Sequence, residues 1–331
     1  MAKKVLLHTH LYTFSTYHAQ AEVGILVMQN PSIYNWVLNN TIMLFCNRRF
    51  LKGHTTPEIF VQKSALPDLP CSDSTWMSCR FLDGHVHYVI RNALDQGYYV
   101  GFSHIDDYWI KGKSFYKEKH RIHDGMICGY DQEKKTYYIF AYDENWIFRV
   151  FETPQSCFEK SIESARKMGL HSSLRAFKAS GEKFPLEPKL IVKNLKTYLD
   201  SNMEKYPIYD EGDVLGTAVH NYMVMYVDML YKGKYAPEHA DRRVIRMIWE
   251  HKKCMYDRIH AVEAYYRFGY DLSDEYKEVV NMADRARIVY AMFIKNKRKE
   301  ILKDVKELIE KIQEKETDIL NRFIKKTEEK F

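Results

Sequence analysis

The chain of 331 residues lacks the features that mark several specialised classes of protein. Its six cysteines stand at irregular intervals without a CxxC pair, which indicates neither a disulfide framework nor a zinc module. The first residues, MAKKVLLHTHLY, contain no apolar signal core. No stretch approaches the roughly 20 uninterrupted apolar residues that a membrane-spanning helix needs. We therefore expect a cytoplasmic protein in a reducing compartment, without a membrane span.

A concentrated patch of one charge sign is also missing. The 50 basic and 44 acidic residues are interspersed and give a formal net charge of +6. Nucleic-acid binding needs a basic stripe that neutralises phosphates, so we expect no nucleic-acid partner. The sequence has no fixed repeat, and its 46% hydrophobic and 28% charged residues are typical of globular proteins. A chain of this length usually forms two domains.

The first half of the chain predicts a mixture of helices and strands. Residues 17–30 and 84–96 have helical patterns that end at Asn30-Pro31 and at Gly97. Runs typical of strands lie at 36–38, 41–45, 98–102, 123–131, 135–140 and 146–151. Two adjoining hairpins then predict an antiparallel sheet packed against helices. We expect an α+β domain over residues 1–165.

The second half predicts helices alone. Pro154 opens a helix that runs to about Met168, and GEKFPLEP at 181–188 is the expected linker, with no strand signal after it. Helical patterns follow at about 187–204, 212–232, 239–268 and 273–330, and Ser273 is expected to cap the last one. We therefore expect an all-helical domain over residues 185–331 that ends in a long helix.

An apolar seam runs along this last helix. Its residues recur at spacings near 3.5: Ile301, Val305, Leu308, Ile312, Ile319 and Phe323. Such a seam packs against a partner helix. The partner is either another helix of the same chain, which forms a helical hairpin, or a second copy, which forms a homodimer.

Residues 86–146 carry the pattern with the most chemical meaning. His123 opens an apolar strand, and the following strand ends near Asp143, so an antiparallel hairpin can bring an imidazole beside a carboxylate. Such a pair is the base half of a Cys-His-Asp or Ser-His-Asp site. On the residues alone, Asp143 is also explained as a turn residue and His123 as a structural histidine.

This segment resembles the N-terminal domain of butirosin biosynthesis protein H and its relatives, which have a papain-like fold akin to bacteriocin-processing peptidases. The resemblance rests on Gly97-Tyr98-Tyr99-Val100, Asp106-Asp107-Tyr108, His120, His123, Gly129-Tyr130-Asp131 and Asp143. It implies a papain-like N-terminal domain in which His123 is the catalytic histidine and Asp143 orients it. It also places Asp106, Tyr108 and Tyr130 on the substrate side of the site.

The resemblance implies a reaction as well. The namesake of the family moves an acyl group from a carrier-protein thioester to an amine of an aminoglycoside, and similar proteins occur in nonribosomal-peptide and related secondary-metabolite pathways. For this chain we therefore expect acyl or aminoacyl transfer to a small-molecule amine. The expected partner is an acyl or peptidyl carrier protein, and the expected cofactor is none beyond the phosphopantetheine arm of that partner.

The family's nucleophilic cysteine is missing. It should begin the first helix, near residues 13–18, where this chain has TFSTYH. Ser15 or Thr16 can take its place, because a helix N-terminus stabilises negative charge on an attacking oxygen. Alternatively, His123, with His18, acts as a general base that deprotonates the amine, without a covalent step. A third possibility is a non-catalytic binding or scaffold protein, and a fourth is a papain-like peptidase or amidohydrolase.

Two further groups of residues are considered as binding sites, one for a phosphate or a carrier surface and one for a metal. The helix ADRRVIRMIWEHKKCMYDRIH repeats charges on one face, with Arg243, Glu250 and His251 as candidate contacts to a phosphopantetheine phosphate or an acidic carrier surface. The alternative is an ordinary solvated, salt-bridged face. Cys71, Cys79, His85 and His87 lie close in sequence, but without the ligand spacing of a zinc module, so we expect no metal site.

Overall fold

A computed structural model of the chain describes residues 3–10, 13–52, 56–61, 70, 72–82, 84–201 and 213–331. The helices are α1 His18–Gln29, α2 Ile33–Asn40, α3 Val86–Asp95, α4 Gln155–Lys167, α5 Pro188–Asp200, α6 Ala218–Tyr231, α7 Arg243–Tyr266, α8 Asp271–Asn296 and α9 Leu302–Glu328. The strands are β1 Lys4–Leu6, β2 Leu44–Asn47, β3 Ile59–Val61, β4 Ser72–Ser78, β5 Tyr99–Asp106, β6 Ile122–Asp131, β7 Thr136–Tyr142, β8 Phe148–Pro154, β9 Ser173–Ala179 and β10 Asp213–Leu215. Within these residues, no helix is both long and apolar enough to cross a bilayer.

The chain forms two compact units. Unit 1 contains residues 1–31 and 65–182, and unit 2 contains residues 32–64 and 183–331. The sequence analysis expected contiguous domains, whereas residues 32–64 belong with the helices of the second half. The physical reason is packing inside unit 2, where α2 contacts α5 and α7, and β2 contacts α6.

Unit 1 is built around an antiparallel sheet, in agreement with the predicted α+β class. The strand order is β4-β9-β5-β6-β7-β8, and β1 pairs with β6. Val100 of β5 packs in a core with Ile90 of α3 and Phe158 of α4. Its neighbour Gly101 faces Glu22 of α1. Because successive strand residues point to opposite faces, α1 covers one face of the sheet, and α3 and α4 cover the other.

Unit 2 is mainly helical but contains a small sheet, and the predicted strand at 41–45 overlaps its central strand, β2. β2 pairs with β10 and β3, both antiparallel, so the expectation of no strand after residue 188 was wrong. The predicted strand at 36–38 was also wrong, because these residues lie inside α2. Val37 and Leu38 are buried on one face of that helix, and a short apolar run does not distinguish a strand from a buried helical turn.

The predicted helix at 273–330 is two helices. The chain leaves α8 at Lys297, whose backbone adopts the left-handed conformation (φ 59°), and α9 returns along α8. Ser273 lies inside α8 and donates its hydroxyl hydrogen bond to the Tyr270 carbonyl, so it is not the expected cap. In the predicted seam, Val305, Ile312 and Phe323 are fully buried within unit 2. The long C-terminal helix is therefore part of a helical hairpin within the chain.

A buried polar cluster lies at the centre of unit 2. The carboxylate of Glu316 in α9 accepts hydrogen bonds from Lys252 Nζ at 2.6 Å, from Tyr198 Oη at 2.8 Å and from Tyr276 Oη. His220 Nδ1 donates to the Thr217 carbonyl at 3.0 Å, and its Nε2 lies 3.8 Å from the Glu316 carboxylate without a hydrogen bond. Burial, aided by repulsion from Lys252, lowers the pKa of His220 to about 4.

This burial predicts a loss of stability in acid. A histidine whose pKa falls on folding binds more protons in the unfolded state, so stability is lost as the pH falls below 6.5. Between pH 8 and pH 5 the contribution of His220 is about 2 kcal/mol. We expect His220→Gln to lose about that much less stability than the wild type over this range, measured by urea unfolding with circular dichroism. The exposed His239→Gln is the matched control, and an equal pH dependence in all three proteins would contradict the assignment.

Candidate active site

Two histidines meet where α1 and β6 begin. The rings of His18, the first residue of α1, and His123, the second residue of β6, have centroids 5.1 Å apart at an angle of 78°. His18 also contacts the rings of Tyr142 and Phe148 at 5.9 and 5.2 Å. The sequence analysis proposed these two histidines as a pair, and the structure brings them together.

The pairing of β5 with β6 adds a carboxylate to this pair. Ile105 lies opposite His123 in the ladder, and the amide of Asp107 donates to the Arg121 carbonyl at 2.8 Å. A bulge between Phe102 and Ile105 shifts the register just before this point. Gly125 is required here, because a Cβ would come within 2.4 Å of the Phe102 ring. Asp107 therefore follows β5 directly and lies beside the start of β6.

The contacts of His123 define its basic nitrogen. Its Nδ1 lies 3.1 Å from the Asp124 carbonyl, which can only accept, so the neutral ring carries its proton on Nδ1. The same nitrogen lies 3.9 Å from Asp107 Oδ2. Nε2 is then the nitrogen that can take a proton. The His123 side chain is 26% exposed, whereas the Asp107 side chain is 2% exposed.

A buried lysine completes the cluster. Lys113 Nζ lies 3.7 Å from Asp107 Oδ1, and its side chain is 3% exposed. Burial raises the pKa of Asp107, against the opposing effect of Lys113. Burial lowers the pKa of Lys113, against the opposing effect of Asp107. Burial, with repulsion from Lys113, His123 and Arg121, holds the pKa of His18 well below its usual range, so His18 is neutral at physiological pH.

Two polar atoms of this cluster are buried without a hydrogen bond. They are His18 Nε2 and Asp107 Oδ1. Buried polar groups are normally satisfied, so unsatisfied atoms beside an accessible imidazole are the arrangement expected of a site that binds a polar ligand. Arg121 lies at the edge of the cluster, with its guanidinium carbon 5.0 Å from the Phe115 ring and 5.6 Å from the Trp146 ring.

Asp143 does not contact His123. Its Oδ1 accepts from the amides of Asn145 and Ile147, both at 2.8 Å, and its Oδ2 accepts from Arg149 Nε. Although burial opposes the effect, these hydrogen bonds hold the pKa of Asp143 below its usual range. Asp143 is therefore a turn residue, as in the alternative interpretation of the sequence. The carboxylate beside His123 is that of Asp107.

Ser15 and Thr16 precede α1 and are buried, with 6% and 2% exposure. The Ser15 carbonyl accepts from Tyr142 Oη at 2.9 Å. Their position at the start of α1 agrees with the expected place of the missing nucleophile. Their burial leaves His123 as the accessible member of the group.

The residues expected on the substrate side have structural contacts. Asp106 is fully buried, and it accepts from the amides of Tyr108 and Arg121 at 3.1 Å, from Ser164 at 2.7 Å and from His120 Nδ1 at 2.6 Å. Tyr108 stacks on His120 with centroids 4.3 Å apart. Tyr130 lies in the core and donates to Asp95 at 2.8 Å. Asp106 and Tyr130 therefore support the fold, and Asp106 fixes the turn from which Asp107 projects.

The candidate residues in unit 2 do not form a binding cluster. Arg243 pairs with its neighbour Asp241 on the surface. Glu250 is fully buried and accepts from Arg246 at 3.0 Å. His251 is fully buried and donates from Nε2 to the Ile42 carbonyl at 2.8 Å. The predicted charged stripe thus divides into a surface ion pair and groups inside unit 2.

Sequence reasoning missed Asp107, Lys113 and Arg121. Asp107 belongs to a quoted motif, Asp106-Asp107-Tyr108, but the expected orienting role went to Asp143. Lys113 and Arg121 lie in a charged loop that has no recognisable signal for a buried cation. Among the described residues, no group of three or more His, Cys, Asp or Glu side chains is arranged to hold a metal ion. Cys71 of the proposed cysteine-histidine cluster lies outside the described residues.

The two aspartates predict opposite responses to substitution. Asp143→Ala should lower the free energy of unfolding by about 1–3 kcal/mol, because two turn amides and Arg149 lose their acceptor. It should leave the pH titration of the His123 imidazole signals unchanged. Asp107→Asn should move that titration to lower pH, because the carboxylate at 3.9 Å favours the charged ring. The measurements are urea unfolding and NMR titration with Glu144→Ala as control, and a shift in Asp143→Ala alone would restore the original assignment.

Comparison with known proteins assigns the chain to no family. It matches no protein-family model, and it matches no curated protein sequence.

Proposed function

We propose that this chain transfers an acyl or aminoacyl group from a carrier-protein thioester to a small-molecule amine, with His123 as the general base. The observation that carries the proposal is the state of His123. Its Nδ1 is engaged by the Asp124 carbonyl and faces the buried carboxylate of Asp107, which makes Nε2 the basic nitrogen of a partly exposed ring. A base must be accessible and oriented by a second group, and His123 meets both conditions.

The proposed reaction needs one base and proximity. The amine nitrogen attacks the thioester carbonyl carbon while His123 Nε2 removes a proton from the nitrogen. The tetrahedral intermediate then expels the thiol, the C–S bond breaks, and His123 returns the proton to the sulfur. The products are an amide and a free carrier thiol. Asp107 stabilises the imidazolium that forms between the two steps.

The base-only route is favoured over a covalent route. His18, rather than a thiol, is the α1 side chain that packs on His123, and its ring is neutral. Ser15 and Thr16 are the residues expected to replace the cysteine, but both are buried. A hydroxyl is a weak nucleophile and must reach both base and substrate.

Several features of unit 1 support a papain-like interpretation. The N-terminal end of α1 lies at the histidine that begins β6, and α1 packs on β6 and β9 of an antiparallel sheet. The proposed donor is an acyl or peptidyl carrier protein with a phosphopantetheine arm, in a secondary-metabolite or nonribosomal-peptide pathway.

One observation favours a second candidate, a non-catalytic protein that binds a carrier or a peptide intermediate. The chain has no cysteine at the start of α1, and Asp143 contacts Arg149 instead of His123. A protein that lost the family chemistry would keep the fold and the carrier-binding surface. The two candidates differ in turnover, so one experiment separates them.

The test is amide formation from acyl-loaded carrier proteins and a panel of amines, followed by intact mass spectrometry. We expect the wild type to form amide and His123→Ala to be slower by about 10²–10⁴-fold, because a general base contributes about that factor. His8→Ala is the matched control, since His8 is an exposed histidine of the same unit. Ser15→Ala and Thr16→Ala should retain activity, and no acyl-enzyme mass should accumulate.

The outcomes distinguish the proposals. An acyl-enzyme adduct that disappears in Ser15→Ala or Thr16→Ala would replace the base-only route by a covalent one. Hydrolysis of the thioester without amide formation would contradict the transferase proposal, and cleavage of an added peptide or amide substrate would indicate a peptidase or amidohydrolase. Carrier binding without turnover in any variant would favour the scaffold function.

A further inference from the structure

Lys113 is a charged residue that the proposed reaction leaves without a role. It lies in the loop between Asp107 and Arg121, and its side chain is 3% exposed. Burial of an isolated ammonium group is costly, so a buried lysine needs a compensating partner. Here the nearest carboxylate oxygen is Asp107 Oδ1 at 3.7 Å.

The local backbone fixes this arrangement. The Lys113 amide donates to the Ile110 carbonyl at 3.2 Å, the Lys117 amide donates to the Tyr108 carbonyl at 2.9 Å, and the Asp107 amide donates to the Arg121 carbonyl at 2.8 Å. These bonds close the loop at both of its ends. The lysine therefore approaches Asp107 from a loop of defined shape.

The carboxylate joins the lysine to the histidine pair. One oxygen of Asp107 lies 3.7 Å from Lys113 Nζ, and the other lies 3.9 Å from His123 Nδ1. His123 in turn packs edge-on against His18. A single carboxylate thus separates a buried cation from an accessible imidazole.

Other charged groups lie near Lys113 and Asp107, but none of them takes the place of Lys113 as the partner of Asp107. Arg121 adds a second cation near Asp107, and Asp124 adds a carboxylate that favours the charged lysine. Asp106 lies next to Asp107 and is engaged by His120 and Ser164. Lys113 is therefore the charge-compensating partner closest to Asp107 within the described residues.

We propose that Lys113 is a positioning residue of this site, whose buried ammonium group holds Asp107 as an ionised carboxylate beside His123. Asp107 can orient His123 only while it is ionised. The burial and the distances given above are the basis of this role, and it rests on the proposed function where it concerns catalysis.

The first experiment needs no substrate. Four variants, Lys113→Met, Lys113→Arg, Asp107→Asn and the double variant Lys113→Met/Asp107→Asn, are titrated by NMR of their histidine side chains, with signals assigned from His18→Ala and His123→Ala. Asp107→Asn should move the His123 titration to lower pH when Lys113 is present, because an ionised carboxylate favours the charged ring. The same substitution should change the His123 titration little in the Lys113→Met background, where Asp107 no longer has its cation and is protonated. Lys113→Arg keeps the charge and should leave the titration as in the wild type.

The double variant keeps the test decisive if Lys113→Met does not fold. It removes both members of the buried pair, and removing both costs less than leaving one charge unpaired. By urea unfolding, the double variant should be more stable than Lys113→Met, because it leaves no buried carboxylate without its cation. Additive losses of stability in the three variants, or an equal effect of Asp107→Asn on the His123 titration with and without Lys113, would overturn the proposal.

The second experiment links the role to turnover. The acid limb of the pH dependence of kcat/KM for amide formation should differ between Lys113→Met and the wild type, and Lys113→Arg should restore it. If histidine titration shifts as expected and no variant forms amide, the role of Lys113 stands and the proposed function fails. If amide forms and neither measurement depends on Lys113, the proposed function stands and the role of Lys113 fails.

Discussion

The pairing of Asp107 with Lys113 takes two opposite charges out of water inside unit 1, and the geometry of the candidate site depends on it. Neither charge is stable alone at this depth, since a buried ion without a partner costs several kcal/mol. The loop must therefore close over Asp107 for the lysine to reach it. The neighbouring Asp106 supports the closure by accepting the amides of Tyr108 and Arg121. The two adjacent aspartates thus have different roles: Asp106 fixes the turn, and Asp107 faces His123.

The two units use buried carboxylates in different ways. Glu316 of unit 2 is surrounded by Lys252, Tyr198 and Tyr276. Although burial opposes the effect, Lys252, with His220 and His251, lowers the pKa of Glu316 to about 2. Asp107 of unit 1 keeps an oxygen without a hydrogen bond, and burial raises its pKa. A buried carboxylate with hydrogen bonds to both oxygens supports a defined helical packing, whereas a buried carboxylate oxygen without a hydrogen bond is more typical of a place where a ligand or a proton is exchanged. The proposed site therefore lies in unit 1, and Glu316 belongs to the polar interior of unit 2.

Local sequence patterns predicted the elements with strong periodicity and missed those that depend on distant contacts. The patterns at 17–30 and 84–96 correspond to α1 and α3, and those at 98–102 and 123–131 overlap β5 and β6. The break at Lys297 was not predictable, because a lysine in a left-handed conformation has no sequence signature. Tertiary packing offsets the energetic cost of that conformation. β10 has three residues, and its pairing with β2 joins segments about 170 residues apart in sequence.

In the candidate site, both histidines, His18 and His123, were predicted. The spacing of the two strands predicts where Asp143 lies along the hairpin. The direction of its carboxylate depends on the turn amides and on Arg149, which the spacing does not show.

The charges around His123 agree with the absence of a cysteine nucleophile at the start of α1. A thiolate nucleophile needs a nearby cationic imidazole or helix N-terminus, which lowers its pKa. Here the position on α1 that packs against His123 holds a neutral imidazole, and the nearby cations are Lys113 and Arg121. In the proposed reaction the negative charge develops on the thioester oxygen instead of on an enzyme sulfur. Fixed cations beside the site favour that charge, because preorganised charges stabilise an oxyanion without reorganisation. The same cations disfavour a protonated amine, so an amine that binds there is held as the free base that attack requires. Two fixed cations and a neutral His18 therefore suit the proposed attack by a neutral amine better than the formation of an acyl-enzyme.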